Sequence, residues 1–219
     1  MKAQRFEGWT GEAPCRLVWL PGAAMGAADV AAQGWDAEAA AAGQAIDMVA
    51  VDLQAQRYDG ADAIEALATE WLRPARDAGR RVWLGGLSLG GWQAVLCARR
   101  HPDLVDGLCL LAPYPGDRLA WNAIQRAGGL DAWPGPASHD SDPAFEVWAW
   151  WKQAPPRPVA WMGYGRQDRF AGGMDRMAAR LPAERVLRTD GGHDWACWRS
   201  LWSALVARRP WVATGEGAP

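Results

Sequence analysis

The chain has 219 residues, half of them hydrophobic and 22% charged, a balance that excludes a disordered polar chain and is long enough for one substantial core. Its net charge of −2 gives no electrostatic basis for a nucleic acid or an anionic membrane as partner. No apolar run reaches the roughly 20 residues that span a bilayer, and the opening MKAQRFEGWTGEAPC lacks the apolar core of a secretory signal, so a cytoplasmic location is expected.

In chain order, the apolar run from Arg16 to Leu20 predicts a strand that ends at the breaker PGAAMG. The alanine-rich segment from Asp29 to Ala42 reads as one helix closed by Gly43, and Ile46 to Asp52 as a second strand. From Asp62, the positions Ile64, Leu67, Trp71 and Leu72 follow a helical stripe that Pro74 bends or ends. Arg81 to Gly86 is a third strand, and Leu89 to Arg100 is the helix after it, stopped at His101 and Pro102. VDGLCLLAP, PVAWMGYG and RVLRT are further strands, and Trp195 to Arg208 is the last helix before a tail, ATGEGAP, expected to fray. Strands that are apolar throughout and alternate with helices predict an α/β domain over 1–219, its mostly parallel sheet covered on both faces.

One interval, 114–156, breaks this alternation with repeated turn signals, yet it is rich in aromatics: Trp121, Trp133, Phe145, Trp148, Trp150 and Trp151. A linker would be poorer in such residues, so a small helical cap is expected there, roofing a pocket with Tyr114, Trp148 and Trp151 as candidate substrate contacts. Most of the 16 tryptophans are expected to fill the core. Cys15, Cys97, Cys109 and Cys197 match no zinc spacing and read as buried free thiols.

The stretch VWLGGLSLGGWQAVL sets Ser88 between Gly86 and Gly90, at the passage from strand to helix. Such a turn forces its central residue into a sparsely allowed conformation, lifts the hydroxyl above the sheet edge and aims the Leu89 amide at whatever the serine attacks. A serine nucleophile needs a base and an orienting acid. Of three histidines, His101 closes a helix and His139 sits among turn formers, whereas His193 lies in GGHDW after the last strand, on the sheet edge that carries Ser88. Asp168, in GRQDRF after the preceding strand, is the expected acid, with Asp117 as its rival and pairing to Arg166 or Arg169 as its structural alternative. Asp190 and Asp194 lie too near His193 in the chain to curl back onto its ring. The amide of Ala23, in LPGAAMG, is the candidate second donor to an oxyanion beside that of Leu89.

GLSLG, LPGAAMG, GRQDRF and GGHDW, in the order serine, aspartate, histidine, together resemble the α/β-hydrolase family over about Arg16 to Arg208. The resemblance implies a mostly parallel sheet of six to eight strands with a cap inserted after the sixth. The short N-terminus points to six or seven strands, and Pro21 stands where many relatives carry histidine. The implied activity is hydrolysis of a small or medium acyl or aryl ester, without metal or organic cofactor. A thioesterase or acyltransferase would use the same residues. A thioesterase acting on acyl carriers would want a basic rim, for which Arg118, Arg126, Arg157 and Arg166 are scattered candidates. A non-catalytic ligand-binding protein on this fold is the alternative of another class.

Overall fold

The structure, a computed structural model, describes residues 1–6, 12–53, 61–137, 142–153 and 158–212. His139 and the tail from 213 lie outside them. Among the described residues the strands are β1 (Lys2–Arg5), β2 (Cys15–Leu20), β3 (Ile46–Asp52), β4 (Arg81–Leu87), β5 (Gly107–Leu111), β6 (Val159–Gly165) and β7 (Val186–Thr189). They form one sheet in the order β1-β3-β2-β4-β5-β6-β7, parallel except for β1, which runs antiparallel to β3. β4 and β5 are buried almost along their whole length because helices cover both faces, which is why they read as unbroken apolar runs. β1 is exposed at all four positions, and its sequence, KAQR, carries no apolar signal for a strand. As a polar edge it protects the sheet from pairing with other chains.

The helices are α1 (Ala27–Ala31), α2 (Trp35–Ala41), α3 (Ala61–Leu67), α4 (Arg73–Asp77), α5 (Leu89–Arg100), α6 (Arg118–Arg126), α7 (Pro143–Gln153), α8 (Ala171–Ala178) and α9 (Trp195–Arg208). The single helix expected over Asp29 to Ala42 is two, because Gly34 between them adopts φ 70°. Pro74 does not end its helix. A π-helical stretch at Ala68–Leu72 joins α3 to α4, widening the turn where the proline lacks an amide to donate. α6 and α7 lie in the interval between β5 and β6. α7 packs on α5 and is tied to its end by Arg100, 2.7 Å from Glu146.

The tryptophans explain two strand glycines. A Cβ on Gly85 would sit 2.5 Å from the Trp19 ring, and one on Gly107 2.4 Å from that of Trp83, so each glycine gives an indole room to lie across the sheet. Trp202 stacks between Trp35 and Trp211, with centroids at 5.4 and 5.3 Å, and donates its indole N–H to the Trp35 carbonyl. Trp211 donates to the buried Gln44, whose own amide donates to the carbonyl of Val206, so this polar group in the core is satisfied at both ends. The four cysteines are free and buried, and burial pushes the Cys15 and Cys97 thiols up to about 12.

The chain runs from β2 outward to β3, then crosses back over β2 to β4. The strand order therefore reverses at the carboxyl ends of β2 and β4, the position where open α/β sheets form their binding crevice. The loop after β2 contains Ala23 and the turn after β4 contains Ser88.

Candidate active site

Ser88 has φ 49° and ψ −114°, a region that costs a non-glycine residue on the order of 1–3 kcal/mol. Its surroundings impose that conformation. Its amide donates to the Leu111 carbonyl of β5 at 3.1 Å, and its carbonyl accepts from Tyr114 at 2.8 Å and from Gly91 and Trp92 in the first turn of α5. The two flanking glycines are sterically required: a Cβ on Gly86 would fall 2.4 Å from the Gly90 backbone, and one on Gly90 2.0 Å from the Leu20 carbonyl oxygen. β4, α5 and the end of β2 thus meet with no space for a side chain at either position.

Beyond β6 and β7, two loops are zipped together. Gln167 and Gly191 exchange hydrogen bonds, and Arg166 donates to the Thr189 carbonyl at 2.8 Å. A Cβ on Gly165 would lie 2.1 Å from the Gly191 oxygen, so this close approach also needs glycine. The pairing brings Asp168 to His193, with Oδ2 2.6 Å from Nδ1, while Nε2 of the same ring is 2.8 Å from Ser88 Oγ. The other oxygen of Asp168 accepts from the Phe170 amide at 2.8 Å, and its side chain is 0% exposed. The imidazole is gripped edge to face by Phe170 and Trp198, each with its centroid 5.2 Å away. Carboxylate, ring and hydroxyl form one line with both ring nitrogens engaged, an arrangement that can draw a proton from the hydroxyl.

The other candidates are placed elsewhere. Asp194 caps α9 by accepting from Cys197, and Asp190 faces Arg166 at 3.6 Å on the surface. Asp168 pairs with neither Arg166 nor Arg169 among the described ion pairs. Asp117 caps α6 by accepting from Leu119. His101 lies 3.0 Å from Glu65, at the far end of α5 from Ser88. The Leu89 amide, first in α5, has no partner within the helix. Ala23 lies in a turn closed by a Met25 to Gly22 hydrogen bond, and that turn touches the serine: a Cβ on Gly22 would be 3.3 Å from Ser88 Cβ.

A cleft of about 220 Å³ adjoins this line through Phe170, though neither Ser88 nor His193 lines it; its walls are Trp121 and Trp148, Phe170, and Arg118, Arg169 and Arg176. Trp148 therefore reaches the cleft, its indole N–H held by the Pro115 carbonyl at 3.0 Å. Tyr114 packs edge to face on Phe170 at 5.3 Å, next to the Ser88 turn. Trp151 does not line the cleft: it is fully buried against Trp150. Of the four arginines considered for a basic rim, only Arg118 lines the cleft; Arg157 lies outside the described residues. Sequence reasoning missed Phe170 and Trp198 as the walls of the imidazole. Their signal was an aromatic just after each loop that carries the acid and the base.

Among the described residues no cluster of three or more His, Cys, Asp or Glu is arranged to hold a metal ion, and no helix is long and apolar enough to cross a membrane.

This sheet order, the turn after β4 and the loops after β6 and β7 define the α/β-hydrolase fold. Solved structures similar to the chain include a monoacylglycerol lipase from Paleococcus ferrophilus at 14% identity and TM-score 0.62, with 94% of this chain and 97% of that one covered. A ferulic acid esterase is 17% identical at TM-score 0.58 over 90% of this chain and 85% of its own. An S-formylglutathione hydrolase from Staphylococcus aureus is 16% identical at TM-score 0.55 over 91% and 82%. No family model and no curated protein matches the sequence.

Proposed function

We propose that the protein is a serine hydrolase that cleaves carboxylic esters with a small or medium acyl or aryl group through an acyl-enzyme. The observation that carries this reading is the unbroken line from the buried Asp168 carboxylate through His193 to Ser88 Oγ, at 2.6 and 2.8 Å. In the first half-reaction Ser88 Oγ bonds to the ester carbonyl carbon as its proton passes to His193 Nε2. The carbonyl oxygen gains negative charge and is met by the amides of Leu89 and Ala23. The carbon–oxygen bond to the alcohol then breaks, and the departing oxygen takes the proton from Nε2. In the second half-reaction water gives a proton to Nε2 and attacks the acyl carbon. Ser88 leaves with that proton, and a carboxylic acid is released. Asp168 keeps the proton of the neutral ring on Nδ1 and stabilises the imidazolium between steps.

The interval 114–156 acts as the cap, with Trp121 and Trp148 over the cleft. The cleft is small: its 220 Å³ exceeds the roughly 150 Å³ that admits benzene and falls below the usual range for drug-sized ligands. The esterase and lipase names among the similar structures support ester chemistry. Four buried, unpaired thiols favour a reduced, cytoplasmic compartment. Hydrolysis of p-nitrophenyl acetate, butyrate and octanoate by the wild type, Ser88→Ala and His193→Ala proteins tests the reading. Turnover of the shorter esters that disappears in both variants is expected. Wild-type activity no greater than that of the variants would refute it.

A further inference from the structure

The charges on the cleft are not balanced. Several arginines elsewhere are matched to carboxylates: Arg16 and Arg80 to Asp47, Arg76 to Asp106, Arg100 to Glu146. Arg118, Arg169 and Arg176 all line the cleft, and among the described residues none of the three lies in an ion pair. Two are held in position by aromatic rings: Arg176 lies 3.9 Å from the Trp121 ring centroid and donates to the Gly172 carbonyl, and Arg169 lies 4.8 Å from that of Phe170. The one carboxylate on the wall, Asp117, accepts from the Leu119 amide at the N-terminus of α6. Gly173 lets α8 pack against Pro115, which a Cβ there would strike at 2.6 Å.

Ser88 and His193 do not line the cleft, which is linked to them by Phe170 and by the chain from Tyr114 to Pro115. Phe170 lines it and also packs on the His193 ring, and Pro115 follows Tyr114, whose amide holds the Ser88 carbonyl. Three guanidinium groups, two of them oriented by aromatic rings, around an aromatic-walled space suit a single carboxylate on a short apolar arm. Resting on the hydrolase reading above, we infer that the enzyme selects esters whose acyl arm ends in a carboxylate. The carboxylate is seated among Arg118, Arg169 and Arg176, and the methylene or aryl portion lies against Trp121, Trp148 and Phe170. The cationic rim is assembled where the start of α6, which carries Arg118, meets Arg169 and the last turn of α8, which carries Arg176.

The test compares the p-nitrophenyl half-ester of adipic acid with the corresponding methyl p-nitrophenyl diester, which differs by the charge. The wild type is expected to favour the half-ester by about tenfold or more in kcat/KM, a preference that shrinks as salt screens the exposed cations. In the Arg118→Gln, Arg169→Gln, Arg176→Gln triple variant the ratio is expected to fall toward one. Equal turnover of the two esters by the wild type, or a preference untouched in the triple variant, overturns the inference. A preference for p-carboxyphenyl acetate over phenyl acetate, with none for the half-ester, overturns its placement on the acyl arm. Calorimetric titration of the Ser88→Ala protein with monomethyl adipate separates this inference from the hydrolase reading. Saturable binding lost in the triple variant supports the carboxylate receptor even if no ester is cleaved, in which case the hydrolase reading alone fails. No binding overturns the receptor whatever the hydrolysis result.

Discussion

Replacing Asp168 with asparagine keeps the shape of the side chain and changes the sense of one hydrogen bond. The oxygen that accepts from the Phe170 amide at 2.8 Å can stay, but the atom 2.6 Å from His193 Nδ1 becomes a donor. Two donors cannot face each other, so the ring takes the tautomer that accepts at Nδ1 and carries its proton on Nε2, toward Ser88 Oγ. A ring protonated there cannot accept the serine proton. The expected fall in kcat is about ten-thousand-fold, the scale seen when a triad acid is neutralised. At 1.36 kcal/mol per factor of ten this amounts to roughly 5 kcal/mol of lost transition-state stabilisation. Stability should barely respond: the carboxylate is fully buried, and removing it leaves no unpaired charge behind while His193 is neutral. The assay is steady-state hydrolysis of p-nitrophenyl butyrate alongside a thermal melt. Turnover within tenfold of wild type in Asp168→Asn, with the collapse appearing in Asp117→Asn instead, would refute the reasoning and make Asp117 the acid.

Three further outcomes follow from the packing. Gly90→Ala, whose Cβ would lie 2.0 Å from the Leu20 oxygen, is expected to cost about 3 kcal/mol or more and lower Tm by roughly 10 °C in a chain of this size; an unchanged melt would show that the turn can open. Trp202→Ala removes a fully buried ring between Trp35 and Trp211, and a loss of about 3–5 kcal/mol is expected in denaturant titration, against less than 1 kcal/mol if the stack is loosely packed. Burial pushes the Asp142 carboxyl above its ordinary range, and the Asp117 carboxylate adds to the shift, against the Ala144 amide that draws it down. A raised carboxyl stabilises the fold below its unfolded pKa, and that contribution is lost as pH rises through the folded pKa. Asp142→Asn, which keeps a capping side chain, should therefore flatten the dependence of Tm on pH just above the usual carboxylate range, and an identical pH profile in the variant would contradict this.

Among the described residues, six of the seven strands were legible because a buried parallel sheet writes its strands as apolar runs, and the meeting of Ser88, Asp168 and His193 was legible because each follows the carboxyl end of such a run. β1 was not, since KAQR is exposed throughout and gains its strand geometry only from pairing with β3. α8 opens with AGG, poor helix-forming chemistry that tertiary packing overrides. On α7 almost every position is buried, so no polar face reveals which tryptophan meets the cleft, and Trp151 was chosen as readily as Trp148. The cluster of Arg118, Arg169 and Arg176 spans segments far apart in sequence and follows no spacing rule; only the fold assembles it.

The central claim is that Ser88 is a nucleophile activated by His193, and covalent capture tests it most directly. Intact-protein and peptide mass spectrometry after a fluorophosphonate probe should find a single adduct, on Ser88, in the wild type. It should be absent from Ser88→Ala and slowed by about a thousandfold or more in His193→Ala. An unlabelled Ser88, or labelling at the same rate without His193, would contradict the claim.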